Sequence, residues 1–292
     1  MTTTRTGSFT IGFRRMGFAW QKDLAALCDW AKGQGFGAID VGADVAAVRA
    51  VASAGLRLGS VDLPGWKDLI SPDAGKRKDA AAKAGAFAKD AVAAAGGAGL
   101  NFFVVMLPED PAKPRSENFG FMVDGYTQLM PALEQVNSRV VIEGWPGPGA
   151  LCCTPETVRA FFKEVPSKAA GFNFDPSHLI RMGICPHRFL REFGARVGHV
   201  HGKDTQPLRD RQYDLGHEQP PTFAKNPGWG GNTWRYTIPG HGTFDWPTGL
   251  KQLADAGYAG CVSVELEDLN FNGTEPGEKA GLTHALHFLA GC

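Results

Sequence analysis

Four residues in the second half of this chain combine metal-binding types with a shared position. Glu143 closes the apolar run Val-Val-Ile-Glu, Asp175 closes Phe-Asn-Phe-Asp, His201 closes Val-Gly-His-Val-His, and Glu265 closes Val-Ser-Val-Glu. Charged side chains are rarely buried unless paired or bound to metal, and packing alone does not explain four apolar runs that each end in a ligand type. Three carboxylates and one imidazole make a hard, oxygen-rich set suited to one divalent ion. Mn2+ is the first choice, with Mg2+, Co2+ or Zn2+ able to substitute. An ion so held keeps coordination positions open for vicinal oxygens of a substrate. It would polarise a carbonyl and acidify the neighbouring C–H, which sets up proton abstraction.

The elements that must position these residues form a simple alternation. Strand-like runs at Ser8–Phe13, Ala38–Val41, Leu56–Leu63, Phe102–Leu107, Val140–Gly144, Gly171–Phe174, Val197–His201 and Cys261–Glu265 are separated by helical stretches. Helices are expected at Gln21–Gln34, Ala74–Ala95 and Asp245–Ala256. Eight β-then-α repeats predict an α/β fold, a closed parallel (β/α)8 barrel whose reactive groups sit at the C-terminal strand ends. The four candidate ligands end four successive runs and would converge at that mouth. No linker or composition shift divides the 292 residues, so a single domain over 1–292 is expected. The segment Thr205–Gly240 is far longer than the usual connection of about 2–6 residues and is expected to be a structureless, lid-like loop or an oligomer contact.

Thirty basic against thirty acidic residues leave no net charge, which argues against a nucleic acid or membrane surface as partner and favours a small molecule. The six cysteines lack a C-x-x-C pair and read as reduced thiols. Residues 1–10 are polar, without a signal-peptide core, and no run approaches the ~20 apolar residues of a membrane span, so the expected location is cytoplasmic.

Across most of its length the chain resembles the xylose isomerase-like TIM barrel superfamily, in its sugar phosphate isomerase/epimerase group. The matching stretches are Val140-Val-Ile-Glu-Gly144, Asn173-Phe-Asp-Pro-Ser-His178, His199-Val-His-Gly-Lys-Asp204, Ile238-Pro-Gly-His-Gly-Thr-Phe-Asp-Trp246 and the segment from Gly257 to Asp268. The resemblance implies that Glu143, Asp175, His201 and Glu265 are the metal ligands. It also implies that Glu143 and Glu265 act as an acid/base pair on the two faces of the substrate. His178, by the same resemblance, hydrogen-bonds a substrate hydroxyl, and Arg235 reaches substrate oxygens. A homo-oligomer is expected by analogy.

Lys203 could steady an enolate oxygen or simply pair with neighbouring carboxylates. Trp20, Trp66, Trp145 and Trp234 fall near strand ends or in the long loop, where one or two could stack on a sugar, Trp145 among them. Asp40 ends the second run and is as well suited to a structural hydrogen bond.

The expected function is that of a metal-dependent isomerase or epimerase acting on a keto-sugar or keto-polyol, such as a ketose or inosose. The alternative is a lyase or dehydratase on a keto-inositol or 3-keto-glycoside, which shares the first proton abstraction; the long loop with Gly-Trp-Gly-Gly at 228–231 suits it. A non-catalytic sugar-binding barrel would be expected to lose Glu143 or Glu265. The histidines lie at 178 and beyond, which departs from the pattern of trinuclear endonucleases. The extra ligands of a second metal, as in longer aldose isomerases, are not apparent. No glycine loop for phosphate is evident, and an unphosphorylated substrate is favoured.

Overall fold

The computed structural model describes every residue, Met1–Cys292. In chain order the strands are β1 (Thr10–Arg14), β2 (Ala38–Val41), β3 (Arg57–Asp62), β4 (Asn101–Val105), β5 (Arg139–Glu143), β6 (Ala170–Phe174), β7 (Val197–Gly202), β8 (Asp204–Pro207), β9 (Trp234–Thr237) and β10 (Cys261–Val264). Eight of them close a parallel barrel in the order β1-β10-β7-β6-β5-β4-β3-β2. The strands are short and nearly all buried, as expected of a parallel sheet covered by helices. By compactness the chain divides into Met1–Ala38, Asp175–Gly194 and His201–Cys292 on one side and Ile39–Phe174 with Ala195–Val200 on the other.

The surrounding helices are α1 (Leu24–Gln34), α2 (Val45–Ser53), α3 (Ala74–Ala94), α4 (Arg115–Gln135), α5 (Pro155–Glu164), α6 (Pro176–Arg181), α7 (Pro186–Phe193), α8 (Arg209–Leu215), α9 (Trp246–Asp255) and α10 (Glu275–Gly291). Their starts are written in the sequence. Asp23, Asp44, Asp73, Asp245 and Thr274 cap five of them by accepting from first-turn amides, and α5, α6 and α7 open on proline. The cap explains a departure from expectation at Gln21–Gln34. Asp23 starts α1 one residue before Leu24, and Gln21 belongs to a preceding 3-10 turn where its Oε1 accepts from Met16 N at 2.6 Å.

The segment expected to be structureless is not. β8 and β9 pair antiparallel, with Asp204 opposite Thr237 and Pro207 opposite Trp234, and α8 lies between them. The insertion is therefore a two-stranded ribbon carrying a helix. Its inner strand follows β7 almost directly, so the ribbon grows out of the end of the strand that bears His201.

At β6/β7 the pairing slips, with Phe172 opposite Val197 but Asn173 opposite His199. The extra residue is a β-bulge, a device that re-aims side chains beside sites. The whole of β7 is buried, His199 and His201 completely.

Candidate metal centre

Glu143, Asp175, His201 and Glu265 each offer one ligand atom, and these atoms lie within 4.8 Å of one another. All four residues are buried. Glu143 is the last residue of β5, and its Oε2 accepts from Asn173 Nδ2 at 2.8 Å. Asp175 follows β6 and caps α6: Oδ1 accepts from Ser177 N at 2.8 Å, while Oδ2 accepts no hydrogen bond. That oxygen has Lys203 Nζ and His178 Nε2 at 3.3 Å instead, which offset part of its desolvation cost, and a divalent ion at the cluster would offset more. The donor set and this oxygen both fit a divalent ion.

Cations already attend the cluster. Lys203, 1% exposed, places Nζ 3.3 Å from Asp175 Oδ2 and 3.0 Å from Glu267 Oε2, and it hydrogen-bonds Glu265 Oε2. Arg14 Nε stands 3.4 Å from a Glu265 oxygen; the His201 ring, itself a candidate ligand, lies at the same distance from Glu265 through Nδ1. Burial pushes the Glu267 carboxyl above the usual range, and Glu265 adds to this while Lys203 pulls it back. A buried ammonium among three carboxylates is the arrangement that lets a lysine remain charged away from water.

Around this centre stand His178 and Tyr236. His178, buried on α6, lies 3.3 Å through Nε2 from Asp175 Oδ2, and its Nδ1 is 2.8 Å from the Tyr236 hydroxyl. Arg181 donates to the same hydroxyl at 2.6 Å and stacks over Trp234 at 4.6 Å. Lys203 Nζ lies over the Tyr236 ring at 4.6 Å. Burial drives the tyrosine's ionisation far upward, so it serves as a neutral hydroxyl.

Of the residues named from sequence, His178 and Lys203 join the cluster. Arg235 does not contact it through its Nε, which donates to Gln206 Oε1 across the ribbon at 2.7 Å. Strand alternation turns Arg235 to the opposite face from Tyr236. Trp145, two residues past Glu143, is half-buried in the following turn, and Trp20 is committed to Glu278 Oε2 at 2.7 Å. Asp40, for which a structural hydrogen bond and catalysis were both open, is held in hydrogen bonds. It accepts from Ser60 N at 3.1 Å and pairs with His199 Nε2 at 2.8 Å. Although Asp40, His199 and His201 also lie close enough to hold an ion, the Asp40–His199 hydrogen bond already occupies two of those groups.

Sequence reasoning missed Asn173, Arg181, Tyr236 and Glu267. Glu267 could have been found by period-two spacing from Glu265. Asp204 proves to be a scaffold: Oδ1 accepts from Thr205 N, Thr243 N and Phe244 N, and Oδ2 from Trp246 Nε1, at 2.8–3.1 Å. Burial nonetheless pushes its carboxyl up to about 6, against the pull of those donors. Gly242 is required there, since a Cβ would sit 2.1 Å from Asp204 Oδ1.

The sequence model of the xylose isomerase-like TIM barrel family matches residues 12–292. The chain belongs to this family. Among curated members of related sequence, YfiH of Bacillus subtilis, an uncharacterized protein, is 33% identical over 126 residues, 42% of this chain and 38% of that one. Inosose dehydratase of Lacticaseibacillus casei is 27% identical over 146 residues, 50% of this chain and 46% of that one. The chain thus spans less than half the length of these curated relatives.

Among solved structures, this xylose isomerase-like barrel is similar to 3-keto-D-glucoside 4-epimerase YcjR of E. coli, with a TM-score of 0.69 at 17% identity over 97% of this chain and 100% of that one. It is equally similar to D-psicose 3-epimerase of Clostridium cellulolyticum H10, at a TM-score of 0.70, 16% identity and the same coverage. At these identities the likeness is one of fold. No helix of the barrel is long and apolar enough to cross a membrane.

Proposed function

We propose that this protein is a divalent-metal-dependent isomerase or epimerase of a keto-sugar or keto-polyol. The observation that carries this reading is the buried set Glu143, Asp175, His201 and Glu265 at four strand ends, whose ligand atoms lie within 4.8 Å of one another. These four residues would hold the ion, and the oxygen-rich set favours Mn2+. When bound, the ion supplies Lewis acidity that polarises a substrate carbonyl and acidifies the adjoining C–H.

The chain's own groups do the rest. Glu143, oriented by Asn173, and Glu265 take and return the proton at the carbon beside the carbonyl. Lys203 opposes the negative charge that develops on substrate oxygen, and His178 orients a neighbouring hydroxyl. Burial of the whole group keeps bulk water from competing for these hydrogen bonds.

A dehydratase or lyase reading is the second choice, favoured by the match to inosose dehydratases over half of this chain. It shares the proton abstraction and differs in a group leaving afterwards. The deciding experiment is NMR in D2O, with Mn2+-loaded protein, then diluted for detection, and a panel of free ketoses, inososes and 3-keto-glycosides. Deuterium beside the carbonyl with all carbons and oxygens retained supports the isomerase or epimerase; exchange with release of water or an aglycone supports the lyase. Protein that holds metal yet exchanges no substrate would refute both.

A further inference from the structure

The insertion contributes to the centre through Tyr236, which β9 delivers with 5% exposure. Its hydroxyl makes two short hydrogen bonds, to Arg181 Nη1 at 2.6 Å and to His178 Nδ1 at 2.8 Å. A guanidinium only donates, and a phenol has one hydrogen to give. Arg181 therefore occupies an acceptor lone pair of Tyr236, and the hydroxyl's own hydrogen goes to His178. That makes Nδ1 the accepting nitrogen and leaves the ring proton on Nε2.

The other side of the ring agrees. Nε2 faces Asp175 Oδ2 at 3.3 Å, where an N–H is attracted and a lone pair repelled.

We propose that Tyr236, held by Arg181, is a positioning residue that keeps the His178 ring proton on Nε2 and leaves Nδ1 as the accepting nitrogen. His178 then offers the centre a hydrogen-bond donor rather than one more nitrogen ligand. Freed from that lock, Nε2 could turn a lone pair to the cluster, giving two imidazoles and a softer set that favours Zn2+ over Mn2+. The insertion thereby helps to fix both substrate orientation and metal preference. The metal part rests on the function proposed above; the tautomer does not.

Long-range 1H–15N NMR of protein labelled in histidine, at weakly alkaline pH with and without Mg2+, tests this, His178 being assigned by its loss in His178→Gln. The wild type is expected to show neutral His178 protonated at Nε2. In Tyr236→Phe the Nδ1 resonance should move as its donor is lost, and the Zn2+/Mn2+ affinity ratio should rise by about tenfold or more. Should Tyr236→Phe not fold, Arg181→Met is expected to mix the two tautomers by freeing the hydroxyl. A wild-type His178 protonated at Nδ1 would overturn the proposal, as would a foldable variant that kept both the wild-type spectrum and the wild-type metal ratio. Protein that bound no metal yet showed Nε2–H would refute the metal centre and leave the lock standing.

Discussion

Replacing Lys203 by methionine removes one charge of known surroundings while nearly keeping the side chain's volume. In the metal-free protein the ammonium is 1% exposed and faces Asp175, Glu265 and Glu267. Removing one partner of a buried ion pair costs about 3–5 kcal/mol because the other charges stay behind uncompensated. Here the low end is expected, since Glu267, already pushed up by burial, loses the lysine that pulled it down and can take a proton. With an unfolding entropy of about 2 cal/mol/K per residue, 3 kcal/mol lowers the melting temperature of a chain this size by about 5 °C.

The deficit has a pH signature. A carboxyl whose folded pKa is raised favours the folded state below its unfolded value, and that contribution is lost as pH rises through the folded pKa. In Lys203→Met the folded pKa of Glu267 is higher still, so the deficit against wild type should widen with rising pH. A divalent ion at the cluster should narrow it, because a second cation then faces Asp175 and Glu265. Thermal unfolding in chelator and in Mn2+, at several pH values, reads all of this. A metal-free variant as stable as wild type at every pH would refute the claim that a charged Lys203 compensates these carboxylates.

The remaining expectations are simpler to state. Glu143→Gln should still bind Mn2+, more weakly, but lose substrate deuterium exchange, which calorimetry and the NMR assay report separately. Asp204, raised to about 6 from an ordinary 3.8, should contribute up to about 3 kcal/mol that is fully present below about pH 3.8 and gone above about pH 6; urea unfolding of wild type and Asp204→Asn at pH 4, 5 and 7 should show that slope only in the wild type. Gly242→Ala must displace the Asp204 carboxylate or its loop, costing about 1–3 kcal/mol and lowering the melting point by about 2–5 °C; an unchanged melting point would mean the turn yields freely.

The barrel strands were legible as short apolar runs between helical stretches, most clearly where four of them end on Glu143, Asp175, His201 and Glu265. Helix ends were legible where a cap marks them, as at Asp73 and Asp245. α4 was not: it contains Gly120, Gly125 and Pro131, all of low helix propensity, and at Gly125 a Cβ would meet Leu69 O at 2.0 Å, so packing overrides propensity. The ribbon was missed for a related reason. Asp-Thr-Gln-Pro has little intrinsic strand preference and becomes β8 only by pairing with β9. Which of Arg235 and Tyr236 faces the centre depends on that pairing, so the arginine drew the attention that belonged to its neighbour.

The seam between β1 and β10 bears on how the protein comes to exist. Thr10 pairs with Cys261 and Phe13 with Val264, joining the first strand of the barrel to the last. Glu265 follows directly on that seam, and the other candidate ligands begin only at residue 143. During synthesis the ring can shut only after β10 has left the ribosome, and long-range closure of this kind is slow. The complete set of candidate ligands therefore comes together last, once β10 has joined the sheet. Capture of the ion would then act as a seal on finished molecules, giving them a thermodynamic advantage over unfinished ones that still lack the final strand.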